Sequence, residues 1–144
     1  MIYASPSKRL LRESPMKLGY TILYVADVAQ SLSFYELAFG LSRRFLHESG
    51  AYGELETGAT TLAFAALALG DANFDGGVVP LTASPRPPAF ETAFVTDDVP
   101  AAHARALEAG AFELQAPAEK PWGQTVSYVR CPDGSLVELC TPMG

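Results

Sequence analysis

YTILYVADVAQSLSFYELAFGL, residues 20–41, decides how this chain is read. Lys17 to Ala26 is strand-like: Ile22, Tyr24 and Val25 favour extended backbone, with the polar Thr21 among them. Asp27 then has the chemistry of a helix N-cap, and Val28, Leu32, Tyr35 and Phe39 fall on one stripe of the helix it starts. Gly40 closes that helix. About seventy residues later the pattern returns as FETAFVTDDVPAAHARALEAGA, residues 90–111. Asp98 is the cap there, Pro100 sits in the first turn and Gly110 ends the helix. Tyr20 and Glu91 hold the same place in the two copies, as do Asp27 and Asp98.

Each copy is followed by three short strand candidates. They are SRRFLH, AYGELET and TTLAFAAL in the first half, and AFELQAP, GQTVSYVR and SLVELC in the second. A strand–helix–three-strand unit used twice is the simplest description, with modules at about 16–69 and 90–142. The stretch 70–89, rich in Gly and Pro, is the linker between them or a loop beside a pocket. Neither half can bury both faces of so small a sheet alone, so the halves must pack together as one domain, 16–142. Residues 1–15 differ from the rest: they carry Lys8, Arg9 and Arg12 but no apolar run of signal-peptide length. They read as a frayed leader or as an arm that docks on a partner subunit.

Composition sets limits. The chain has 144 residues, 49% hydrophobic and 18% charged, which suits one globular domain with a sizeable core. Its longest apolar run, 62–69, is too short to span a bilayer, so no membrane is expected. The net charge of −6 is dispersed, which disfavours nucleic acid as a partner. Cys131 and Cys140 have no zinc-like spacing, and a domain of this size needs no disulfide scaffold. A reducing, cytoplasmic setting is the expectation.

These strings, with the closing PWGQTVSYVRCPDGSLVEL of residues 121–139, resemble the vicinal oxygen chelate superfamily. That group contains glyoxalase I, bleomycin-resistance proteins, fosfomycin-resistance enzymes and extradiol dioxygenases. The resemblance covers residues 17 to 142, and Cys131 replaces the usual Asp before the Pro-Asp-Gly turn. It implies an α+β fold of two tandem βαβββ modules whose mixed sheets curl into cups. Paired halves enclose the site, within one chain or across a homodimer, and a homodimer is the expectation here. It also implies a divalent metal held by a His or Gln at the position of Tyr20, a His at that of Glu91 and a Glu at that of Glu138. Only the last is matched.

Imidazole and carboxylate are the usual donors in an open catalytic metal site, and a neutral phenol is a poor one. His47 and His103 do not restore the set: His47 ends a strand, and His103 is placed on the exposed side of the second helix. No metal and no other cofactor is therefore expected, with a divalent ion on unusual ligands as the alternative. Strand alternation puts Leu136 and Cys140 on the same face as Glu138, and Val126 and Tyr128 with Gln124 and Trp122. Tyr20 goes with Ile22 and Tyr24, and Glu91 with Ala93 and Val95. Tyr20, Ile22, Tyr24, Trp122, Gln124 and Tyr128 thus form the candidate lining of a small-molecule pocket. Trp122 either plugs the mouth of the cup or offers a stacking surface.

Glu91 and Glu138 have three readings. An arginine (Arg43, Arg44, Arg86 or Arg130) ties one of them into a structural ion pair. The pair receives a cationic group of a ligand. Or repulsion and desolvation keep one carboxyl protonated near neutrality, fit for acid–base chemistry. The expected function is binding or sequestration of an aromatic or amphipathic ligand. The alternative is a glyoxalase-like lyase or isomerase using Glu138 and Glu91 as acid and base, or as metal ligands.

Overall fold

The computed structural model describes residues 15–143. The stretch read as a leader lies, apart from Pro15, outside the described residues. The first module runs β1 (Tyr20–Val25), α1 (Val28–Phe39), β2 (Ser42–Leu46), β3 (Tyr52–Glu56) and β4 (Thr61–Ala66). The second runs β5 (Glu91–Val95), α3 (Val99–Ala109), β6 (Phe112–Glu119), β7 (Thr125–Arg130) and β8 (Leu136–Cys140). Between them lies α2 (Leu67–Asn73), a short helix within the stretch read as strand end and linker. That stretch, ALALGDAN, has neither alternation nor a clear apolar stripe, so its helicity had no periodic signature.

Each module forms a four-stranded mixed sheet, ordered β1-β4-β3-β2 and β5-β8-β7-β6. The first and last strands of a module pair in parallel and the others antiparallel. A parallel pair needs a long crossover, and α1 and α3 lie within those crossovers. Both caps form as their residue types require: Asp27 accepts from the Gln30 N–H at 3.0 Å and Asp98 from that of Ala101 at 3.1 Å. Gly40 ends α1 at φ +70°, a left-handed turn that a side chain would resist.

α1 covers one face of the first sheet, α3 covers one face of the second, and the two helices pack on each other. One apolar core therefore serves both modules. Tyr35 of α1 is its hub, fully buried with its ring 4.9 Å from that of Phe64 and 6.4 Å from that of Phe94. Burying rings of this size contributes roughly 2–3 kcal/mol each. The phenol also ties the modules together, donating to Ser135 Oγ at 2.6 Å, which donates in turn to Asp133 Oδ1 at 2.6 Å. Burial drives the Tyr35 pKa well above its ordinary value and pushes the neighbouring Cys131 thiol up to about 12. Both groups are structural.

His103 corrects an expectation. It is 4% exposed, not solvated. Val99, His103 and Ala106 recur at helical spacing, which puts the imidazole on the core stripe of α3. Its burial is made tolerable by two partners, Ser127 Oγ at 2.9 Å and Glu113 Oε2 at 2.7 Å.

Candidate functional site

The faces of the two sheets turned away from the helices are the cups, and their registers say which side chains share a row. On the second sheet Ala93, Glu138 and Tyr128 stand in one row, Glu91, Leu136 and Arg130 in the next, and Val95, Cys140 and Val126 in the one on the other side. The alternation read from the sequence is thus observed for these three strands. Glu91 and Glu138 are diagonal neighbours on parallel strands, close enough to share a hydrogen bond. That bond, then partial burial, then mutual repulsion, raise the Glu91 carboxyl to about 7. Tyr128 stands beside the same Glu138 on the neighbouring strand, and its phenol is pushed up by burial and by that carboxylate. The Cys140 thiol is raised likewise, by burial and then by Glu138.

Of the three readings of these acids, the structural ion pair is not formed. Among the described residues no Lys, Arg or His bridges to Glu91 or Glu138. Arg43 pairs with Glu36 at 3.0 Å, and Arg44 is committed to the other sheet. Arg86 is exposed in the linker, and Arg130 donates to main-chain carbonyls.

The acids of the first cup share a cation of their own, Arg44. Tyr20, Ile22 and Tyr24 project from β1 beside Thr61, Ala63 and Ala65 of β4, with Tyr52 and Glu54 on β3. A register break after Arg43 marks a bulge in β2, and Arg44 there reaches across the cup. It donates to Glu54 Oε1 at 2.9 Å, to Glu56 Oε2 at 2.6 Å and to Thr61 Oγ1 at 3.0 Å. Tyr52 donates to Glu54 Oε2 at 2.8 Å, and burial and that carboxylate lift its phenol to about 12. Tyr52, Glu54 and Arg44 were missed as cup residues. The Tyr-x-Glu-x-Glu alternation of 52–56 announces the first two, whereas the bulge that aims Arg44 has no local signal.

Within one chain the predicted lining falls into two groups. Tyr20, Ile22 and Tyr24 belong to the first cup, and Glu91, Glu138 and Tyr128 to the second. Tyr24 is partly covered by the end of α2, where Phe74 meets its ring edge-on at 6.2 Å. Trp122 lies in a turn ahead of β7, so strand alternation does not govern it. It is 63% exposed and plugs nothing, yet its indole is fixed. Nε1 donates to Gln124 Oε1 at 2.9 Å, and the Gln124 amide donates to the Thr141 carbonyl at 2.9 Å. Two cavities, of about 390 and 370 Å³, each border one cup residue or more, Tyr24 of the first cup in the larger and Glu91 and Ala93 of the second in the smaller. The larger is bordered by Tyr24, Phe34, Pro80 and Asp133, the smaller by Thr21, Leu41, Phe90 and Phe94.

The donors do not suit a resident catalytic metal. On the second sheet they are two neighbouring carboxyls and a phenol, with the Tyr20 phenol on the other sheet. Among the described residues no three His, Cys, Asp or Glu side chains form a set able to hold an ion.

The family model described as "Glyoxalase/Bleomycin resistance protein/Dioxygenase superfamily" matches residues 17–139. The chain belongs to this superfamily. Solved structures agree on the fold of this glyoxalase-type chain. A glyoxalase-related enzyme from Fulvimarina pelagi has 22% identity, a TM-score of 0.73 and coverage of 88% of each chain. A protein of unknown function from Agrobacterium tumefaciens has 24% identity and a TM-score of 0.72, covering 92% of this chain and 99% of the other. A family enzyme from Burkholderia phytofirmans has 20% identity and a TM-score of 0.68, covering 88% and 98%. No curated protein matches the chain. Among the described residues no helix is long and apolar enough to cross a membrane.

Proposed function

We propose that this glyoxalase-type chain is a small-molecule-binding protein without a resident metal, whose guest is an aromatic or amphipathic molecule carrying a cationic nitrogen. One observation carries the reading: the acid pair Glu91–Glu138 stands on a cup face among apolar and aromatic side chains with no cation of its own among the described residues. Two carboxyls so placed strain against full ionisation, and an incoming ammonium or amidinium relieves that strain by replacing the shared proton. Tyr128 beside the pair, with the fixed indole of Trp122 on the same module, offers aromatic surface to a planar body.

A second copy of the chain completes the pocket in this reading. Each cup of a single chain is an open concave face, with Tyr20 and Ile22 exposed on one and Val95 and Phe112 on the other. Apposing the first cup of one chain to the second cup of its partner covers those side chains. It also brings the Tyr20 row opposite the acids.

The alternative is a metal-free lyase or isomerase. A carboxyl that keeps its proton to about pH 7 is poised to give and take protons beside a substrate carbonyl. Titration with proflavine, a planar aromatic cation, separates the two. Binding is expected to tighten as pH rises through about 7, where the pair ionises, and to weaken in Glu138→Gln. Indifference to both pH and the substitution overturns the binding reading. Deuterium uptake from solvent into a panel of ketones, lost in Glu138→Gln, would favour the enzyme instead. One tightly held divalent ion per chain in purified protein would overturn both metal-free readings.

A further inference from the structure

Arg130 stands on the second cup in the same row as Glu91, one row from Glu138. A guanidinium there would be expected to pair with the acids, yet four of its N–H groups are taken by main-chain carbonyls. Nε donates to Gly134 at 3.1 Å and Nη1 to Pro85 at 3.1 Å, while Nη2 donates to Leu81 at 2.8 Å and Ser84 at 3.0 Å. Three of these four carbonyls belong to the linker. The linker also abuts the turn before β8, where a Cβ on Gly134 would lie 2.6–2.8 Å from the Leu81 carbonyl group and the Thr82 nitrogen.

The pinned segment leads directly into the site. Six residues after Pro85 the chain reaches Glu91, the first residue of β5. Between β7, where Arg130 sits, and β5 lies β8 alone, so the chain has to cross about 10 Å. Pro87 and Pro88 restrict the backbone on that crossing, so the position set at 81–85 is passed on to Phe90 and Glu91. We infer that Arg130 is a positioning residue: by clamping the linker carbonyls it sets where the chain enters β5 and so aims Glu91 at Glu138. The inference rests on the reading of this acid pair as the binding feature. It also accounts for the absence of a cation beside the pair, since the neighbouring guanidinium is engaged by the linker. Lysine cannot substitute, because a single ammonium lacks the planar fork that serves four carbonyls at once.

The test is a double-mutant cycle on the full chain. Arg130→Ala is expected to speed hydrogen exchange at 81–90 and to weaken proflavine binding roughly tenfold, the size of a broken coupling within one network. Placed in a Glu91→Gln background, the same substitution is expected to cost little more, because its target is already gone. An equal loss in both backgrounds, or none in either, overturns the inference. If Arg130→Ala does not fold, Arg130→Lys serves in the same cycle with the same expectations. If proflavine does not bind the wild-type chain, the binding reading falls, and the positioning role is judged by carboxyl carbon resonances. Glu91→Gln should then move the Glu138 resonance in the wild-type chain and leave it unmoved in the Arg130→Ala chain. Persistence of that coupling in the variant overturns the inference.

Discussion

Glu91 shows how a single residue's surroundings become a measurable property of the whole chain. Its carboxyl is raised from the ordinary carboxylate range to about 7, chiefly by its bond to Glu138. An acid whose folded-state pKa lies above its unfolded one holds more protons folded than unfolded in the interval between the two. Folding stability therefore falls as pH rises through that interval and levels off above about 7. Glu91 is largely exposed, so the effect is a modest slope rather than a collapse. Thermal melts of Glu91→Gln across this range should show a flatter profile than the wild type. An unchanged slope would mean that the two carboxyls do not share a proton. Tyr35 makes the opposite case: burial disfavours its charged form, and its hydroxyl serves to join α1 to the turn before β8.

At the scale of an element, the turn 131–135 does more than reverse the chain between β7 and β8. Gly134 adopts φ +93°, and the linker backbone lies where its Cβ would go. Gly134→Ala meets both objections at once, left-handed backbone and contact with main-chain atoms that have no rotamer to escape into. The expected cost is about 2 kcal/mol or more, read as a lower midpoint in chemical denaturation, with faster hydrogen exchange at 81–86. A neutral Gly134→Ala would mean that the linker moves away freely, and with it the clamp at Arg130. The bulge in β2 is a second element with a local consequence, because it sends Arg44 across the first cup to pair with Glu54 and Glu56. That leaves the two cups chemically unlike, one whose acids are bridged by an arginine and one with a bare acid pair.

For the whole molecule, the decisive feature is that the helices pack on each other and both cups face outward. Tyr20, Ile22, Val95 and Phe112 are left 42–65% exposed, an arrangement that a second copy would cover. The chain is expected to sediment as a dimer at micromolar concentration, and Ile22→Glu should shift it to a monomer with unchanged helix and strand content. A wild-type chain that stays monomeric at high concentration would remove the composite pocket and leave each cup to act alone.

Much of the fold was legible because it obeys short-range rules. The caps Asp27 and Asp98, the closing Gly40 and Gly110, and the alternation along β5, β7 and β8 depend on residues at most a few positions away. The repeat of those signals after about seventy residues gives two modules without reference to any tertiary contact. α2 and the buried face of His103 were not read correctly, the first for want of periodicity and the second because its place on the stripe was misjudged. Sequence also placed both acids on one type of surface. It could not say whether a cation answers them, since ion pairing is a competition among side chains brought together from distant strands. Register, a bulge and a pinned linker settle that competition, giving Arg44 to the first cup and Arg130 to the linker carbonyls. The bare carboxyl pair of the second cup is thus a product of tertiary packing, built from residues 47 positions apart in sequence.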